Sequence, residues 1–131
     1  MNPRQFLILG GAALLLVGIL GFVGVIGPTA EDSIFGDPWF FDNGENYAHT
    51  VLGIVGLAAA FLFPVNLQRI LVLALGILGI FVGVFSLFGP ITEGVTFLGS
   101  NLQNPADTIL HLVIGAWALL AGYRRPAPMM R

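Results

Sequence analysis

Glu45-Asn46-Tyr47-Ala48-His49-Thr50-Val51-Leu52-Gly53-Ile54-Val55-Gly56-Leu57 returns 62 residues later as Asp107-Thr108-Ile109-Leu110-His111-Leu112-Val113-Ile114-Gly115-Ala116-Trp117-Ala118-Leu119. The chain has only two histidines, and they occupy the same place in the two copies. In each copy a carboxylate precedes the histidine by four residues and a glycine follows it by four. That spacing stacks the three on one face of an α-helix.

Composition says where such helices live. Hydrophobic residues make up 56% of the 131 and charged residues 9%, against roughly 25% charged in an average soluble domain. A membrane helix needs about 20 apolar residues, and four charge-free runs approach that length: Phe6 to Gly27, Tyr47 to Phe63, Ile70 to Phe88 and Thr108 to Tyr123. The pattern predicts one all-α domain over residues 1–131, an integral membrane four-helix bundle. Arg4 ahead of the first run resembles the start of a secretory signal, but the run is longer than a signal core and has a counterpart in the third run, so it reads as a permanent span. With no cysteine in the chain, thiolate metal sites and thiol nucleophiles are excluded.

Charge placement predicts the topology. All five arginines (Arg4, Arg69, Arg124, Arg125, Arg131) lie at the termini or between runs two and three, whereas the seven carboxylates (Glu31, Asp32, Asp37, Asp42, Glu45, Glu93, Asp107) lie in the other two connections or at their helix junctions. By the positive-inside rule both termini are cytoplasmic and the two longer loops face outward. No basic surface suited to nucleic acid is present.

Shifting the chain by 62 residues without a gap also places Gly27-Pro28 on Gly89-Pro90, Glu31 on Glu93, Phe35 on Phe97, Gly21 on Gly83 and Pro64 on Pro126. This predicts a tandem duplication of a two-helix unit, repeat one at about 5–64 and repeat two at about 67–126. A unit that crosses twice gives parallel repeats about an axis along the membrane normal, with His49 and His111 at one depth. Gly18 and Gly21 in the first helix, and Gly79 and Gly83 in the third, smooth helix faces for close packing in lipid. Gly-Pro is the expected stop for helices one and three. Pro38-Trp39-Phe40-Phe41 in the first outer loop reads as an interfacial anchor or a partner contact.

The paired motif admits three readings. In the first, Glu45 and Asp107 serve the first helical turn, each histidine bonds locally, and each glycine admits a neighbouring helix. In the second, His49 and His111 are axial ligands of a tetrapyrrole, haem or chlorophyll, with Gly53 and Gly115 leaving room for the flat ring. In the third, Glu45, His49, Asp107 and His111 hold a divalent metal. Transport or channel activity is disfavoured because the spans carry almost no ionisable residue. Hydrolysis lacks a base at a recognisable spacing from Ser33 or Ser100.

The segment Asn104-Pro105-Ala106-Asp107-Thr108-Ile109-Leu110-His111-Leu112-Val113-Ile114-Gly115 resembles the Asn-rich, Leu-His, Leu-Gly motif of bacterial four-helix membrane proteins grouped as domain of unknown function 4383. It departs at Thr108, where that motif has asparagine, and the first repeat keeps His49 and Gly53. The resemblance implies four spans in a bacterial plasma membrane and carries no activity. The sequence therefore leads to a small non-enzymatic accessory or scaffold protein, partnered by the lipid bilayer and by other membrane subunits or further copies of itself. A cofactor protein with paired histidine ligands is the alternative.

Overall fold

The computed structural model describes residues 1–88 and 95–124. Gly89-Pro90, Glu93, Arg125, Pro126 and Arg131, used above for the repeat and the charge pattern, lie outside the described residues. Four helices account for most of the chain: α1 (Pro3–Phe22), α2 (Asn43–Leu62), α3 (Val65–Leu87) and α4 (Ala106–Tyr123). The connection between α3 and α4 also holds a small antiparallel hairpin, β1 (Val95–Phe97) and β2 (Ser100–Leu102). Leu98 and Gly99 turn it with both φ angles positive, the geometry that matches strand twist in a two-residue hairpin loop.

Local chemistry sets the helix ends. Asn2 accepts a hydrogen bond from the Gln5 N–H while the Gln5 side chain accepts from the Asn2 N–H, a capping box in front of Pro3. At its far end α1 stops at Phe22, well short of the expected Gly27-Pro28 stop. Gly24, at φ +83°, takes the left-handed conformation just past the helix, and the Val25 N–H reaches back to the Leu20 carbonyl at 3.1 Å, a glycine-terminated helix end. The α2 start is capped by Asp42, which accepts from the Glu45 N–H at 2.9 Å.

By length and composition α1, α3 and α4 can each cross a membrane. The 20 residues of α2 are long enough at 1.5 Å per residue, but its first two turns carry Asn43, Glu45, Asn46, His49 and Thr50. Glycines join the helices in pairs. A β-carbon on Gly53 would come within 2.6 Å of the Leu15 nitrogen and 2.8 Å of the Gly11 carbonyl oxygen, and one on Gly115 within 2.7 Å of the Ile80 nitrogen and 3.0 Å of the Gly76 oxygen. Only hydrogen fits, so the backbones of α1 and α2, and of α3 and α4, run in direct contact.

These contacts recur with a register different from the gapless one read from the sequence. Gly53 and Gly115 are 62 residues apart, but their partners Gly11 and Gly76, or Leu15 and Ile80, are 65 apart. The same offset holds along both helix pairs. Gly18 lies against Thr50 and Gly83 against Leu112; Gly21 lies against Asn46, and Ser86 bonds Thr108. Gly83 therefore stands where Gly18 stands, not where Gly21 does. At the other end the Arg4 Nε donates to the Ala60 carbonyl at 3.1 Å, and the Arg69 Nε to the Gly122 carbonyl at 2.8 Å. Each arginine satisfies a final-turn carbonyl of the neighbouring helix, where a cation is favoured.

The two pairs meet mainly through α1, which touches both α3 and α4. Near the end that carries the N-terminus, Phe6, Leu7, Ala59, Ala60, Val72, Ala118 and Ala121 form a buried apolar cluster. Phe6 meets Trp117 edge to face with ring centres 5.0 Å apart, a favoured aromatic arrangement.

Candidate functional site

The opposite end of the bundle gathers the polar residues. Asp42, Glu45, Asn46, His49 and Thr50 come from the start of α2, and Asp107, Thr108 and His111 from the start of α4, because the helices of each pair are antiparallel and both loops close over this end. His49 and His111 are brought within electrostatic reach of one another, and Glu45 within reach of Asp107 and Asp42.

The two longer loops each reach into the other pair. Trp39, from the first, donates its indole N–H to Asp107 Oδ1 at 2.9 Å. Asn101, 62 residues later in the second, donates its backbone N–H to Asp42 Oδ2. Trp39 and Phe41 are thus turned inward, and Phe41 is buried. The segment read from the sequence as an interfacial anchor or a partner contact also ties the first loop to α4. A ring series Phe35, Trp39, Phe41, His49 follows, with neighbouring centres 5.0, 5.3 and 5.5 Å apart.

Around α4 every polar group named has a partner. Besides Trp39, Asp107 accepts the Gln103 backbone N–H on Oδ2 at 2.6 Å. Ser86 Oγ and Thr108 Oγ1 share a hydrogen bond at 2.6 Å, and Thr108 donates to Asn104 Oδ1 at 3.2 Å. His111 Nδ1 lies 2.7 Å from the Asp107 carbonyl oxygen. A carbonyl only accepts, so Nδ1 carries the proton.

Around α2 the same positions go unanswered. Glu45 is 4% exposed and neither carboxyl oxygen has a hydrogen-bond partner; Asn46 Oδ1, His49 Nδ1 and Thr50 Oγ1 are likewise buried and unpaired. Asn46 Oδ1 and Thr50 Oγ1 lie against Gly21 and Gly18 of α1, a setting for weak Cα–H···O contacts. No such neighbour accounts for Glu45 or His49.

The expected site residues divide accordingly. Gly18, Gly21, Gly79 and Gly83 all sit in helix contacts within the chain. Gly53 and Gly115 press on the backbones of α1 and α3, which fill the face where a flat macrocycle was expected to lie. Among the described residues no three His, Cys, Asp or Glu side chains gather into a group able to hold a metal ion; Asp107 is taken up by Trp39 and Gln103 instead. Trp39, Asp42, Ser86, Asn101 and Gln103 were not singled out from the sequence as site residues. The 62-residue spacing of Trp39 and Asn101 was the available signal. No protein-family model, curated protein or solved structure matches this chain.

Trp39→Phe tests the tie between the halves. It keeps an aromatic ring beside Phe35 and Phe41 but leaves Asp107 Oδ1 buried without its donor. The expected loss is about 1–3 kcal/mol of stability, read by thermal unfolding in a mild detergent. An unchanged midpoint would show that the bond carries no net stabilisation.

Proposed function

We propose that this is a four-span, non-enzymatic membrane protein, a tandem duplication of a two-helix unit with both termini cytoplasmic, serving as an accessory or scaffold subunit in a bacterial plasma membrane. The observation that carries this reading is the distribution of large apolar side chains. Leu16 and Ile19 on α1, Ile54 and Phe61 on α2, Ile77 and Phe81 on α3, and Val113 and Leu120 on α4 are all exposed. Contiguous apolar surface on this scale marks contact with membrane or protein. The exposed residues of α2 favour counting it as the fourth span, Glu45, Asn46 and His49 being buried. The recurring glycine and arginine contacts support duplication, with a three-residue difference between the units falling in the outer connections.

The glycine faces are consumed inside the chain, so assembly with partners relies on the outward leucine, isoleucine and phenylalanine surfaces. Native mass spectrometry of the protein released gently from its own membrane tests this. A species larger than the 13.9 kDa chain, lost when Ile77 and Phe81 are replaced by alanine, is the expected result. A lone 13.9 kDa chain would end the scaffold reading. The hydrogen bond that fixes the His111 ring through Nδ1 favours a second reading, ligation of a cofactor by its other nitrogen. A Soret or chlorin absorption band abolished by His111→Ala would establish it.

A further inference from the structure

The two helix pairs hold their end arginines alike and cover them differently. Arg4 and Arg69 each donate Nε to a final-turn carbonyl of the neighbouring helix, Ala60 and Gly122 respectively. Over Arg4 lies the ring of Phe61, with its centre 5.5 Å from the guanidinium carbon, a cation–π contact. The residue 62 positions on from Phe61 is Tyr123, which follows Gly122 directly and is exposed. It does not cover Arg69, whose Nη groups meet no acceptor and no aromatic ring among the described residues.

Beside this arginine the surface is hollow. Leu73 and Ile80 of α3 and Ala116, Leu119, Leu120 and Tyr123 of α4 line an apolar groove of about 500 Å³. Arg69, Leu73 and Ile80 follow one face of α3 at spacings of four and seven, so the groove leads away from the arginine's end for about 10 Å at 1.5 Å per residue. A difference between the pairs accounts for the opening. Ala116 stands 62 residues after Ile54, an exposed side chain of the first pair, and an isoleucine at 116 would fill part of the hollow. Charge at this end is of one sign. Among the described residues Arg4, Arg69, Arg124 and the amino terminus lie here, whereas Glu31, Asp32, Asp37, Asp42, Glu45 and Asp107 belong to the loops or to the helix starts at the opposite end. A neutral apolar helix would fill the groove and leave the guanidinium unanswered. A free anion would answer the guanidinium and leave the groove empty.

We propose that the groove between α3 and α4 seats one acyl chain of an anionic phospholipid, whose phosphate accepts hydrogen bonds from the Arg69 Nη groups. The proposal rests on the reading of α3 and α4 as membrane spans, which puts the groove in lipid and Arg69 at the level of the headgroups. A planar guanidinium fork matches a phosphate in a two-bond clasp. The Nε bond to Gly122 already holds that fork in place, so binding loses little side-chain freedom. Tyr123 adds a phenol at a level where such rings gather, and Arg124 a second positive charge. The membrane thereby supplies the anion that the chain itself does not bring to this end.

The test is native mass spectrometry of the full chain in a neutral detergent, titrated with phosphatidylglycerol or with phosphatidylcholine of the same acyl chains. One phosphatidylglycerol is expected to bind about tenfold more tightly than phosphatidylcholine, the scale of one or two arginine contacts to a lipid anion. Arg69→Gln is expected to abolish that preference. Ala116→Ile is expected to weaken the binding of both lipids while keeping the charge. Arg4→Gln removes the same charge from the other pair and is expected to leave the preference as it was. Should Arg69→Gln fail to fold, Ala116→Ile decides, since it alters only an exposed position. The proposal is overturned if the two lipids bind alike or if Ala116→Ile binds phosphatidylglycerol as the parent does. An equal loss in Arg4→Gln and Arg69→Gln overturns it too, because the lipid would then answer the overall charge of this end. So does a dimer that excess phosphatidylglycerol leaves intact and Ala116→Ile breaks, the groove then belonging to a second copy. Insertion into phosphatidylcholine vesicles is read separately by flotation. Failure to insert refutes the membrane reading itself, whereas insertion without a lipid preference removes the lipid site alone.

Discussion

Gly115→Leu is expected to keep α3 and α4 from closing and to leave no stably folded protein. A β-carbon alone at this position would meet the Ile80 nitrogen at 2.7 Å and the Gly76 carbonyl oxygen at 3.0 Å, and both are backbone atoms that cannot rotate aside. Gly79 presses back from the other side, where an added β-carbon would lie 3.0 Å from the Gly115 Cα. Overpacking of an ordinary core costs about 1–3 kcal/mol. Here the helices themselves must separate, which also strips Leu112, Leu119 and Gly122 of their contacts on α3, so the expected loss exceeds that range. Unfolding in mixed detergent micelles measures it. Gly10→Leu is the control, because a β-carbon there meets only the Phe6 ring, at 3.6 Å and beyond. If both variants unfold alike, close backbone contact is not what holds the pair.

Asp107→Ala has the second largest expected effect, about 3–6 kcal/mol. It orphans two buried donors, the Trp39 indole N–H and the Gln103 backbone N–H, at roughly 1.5–3 kcal/mol for each hydrogen bond to a charged acceptor. It also frees the loop between α1 and α2 from α4. Glu45→Gln, at the corresponding position of the other unit, is expected to be neutral or stabilising, because both Glu45 oxygens are buried without donors. Two carboxyl groups read as equivalents in the sequence are thus predicted to respond in opposite directions. Thermal unfolding of both variants in one detergent compares them, and a similar loss in each would show that Glu45 has donors after all.

Much of the layout was legible in the residues. Apolar runs bounded by polar connections mark the helices, because lipid leaves the backbone few alternatives to intrasegment hydrogen bonds. The coincidence of His49 with His111 marked the end of the bundle where the polar groups meet. The register of α1 against α3 was not legible, since both helices are rich in glycine and a shift of 62 brings Gly21 onto Gly83 as plausibly as 65 brings Gly18 there. Contacts with α2 and α4 decide between them, and those depend on helix rotation. The fate of Trp39 was hidden for a different reason. An aromatic residue in a loop beside a span looks like an anchor until its N–H is seen to end on a carboxylate 68 residues away. The difference between Asp107 and Glu45 likewise lives in donors supplied by the loops, where no periodicity operates.

The crossing of the two longer loops has a consequence for how the chain is made. Trp39 leaves the ribosome long before its acceptor, and at about 5–20 residues per second Asp107 follows it by roughly 3–14 s. Once Leu62 has followed and α2 is complete, the first helical hairpin has its full length but stays open at its loop end until α4 arrives. The newborn protein therefore passes through a half-built stage in which Phe41 can already meet His49 but the Trp39 indole N–H has no acceptor, and it locks only when the last helix arrives.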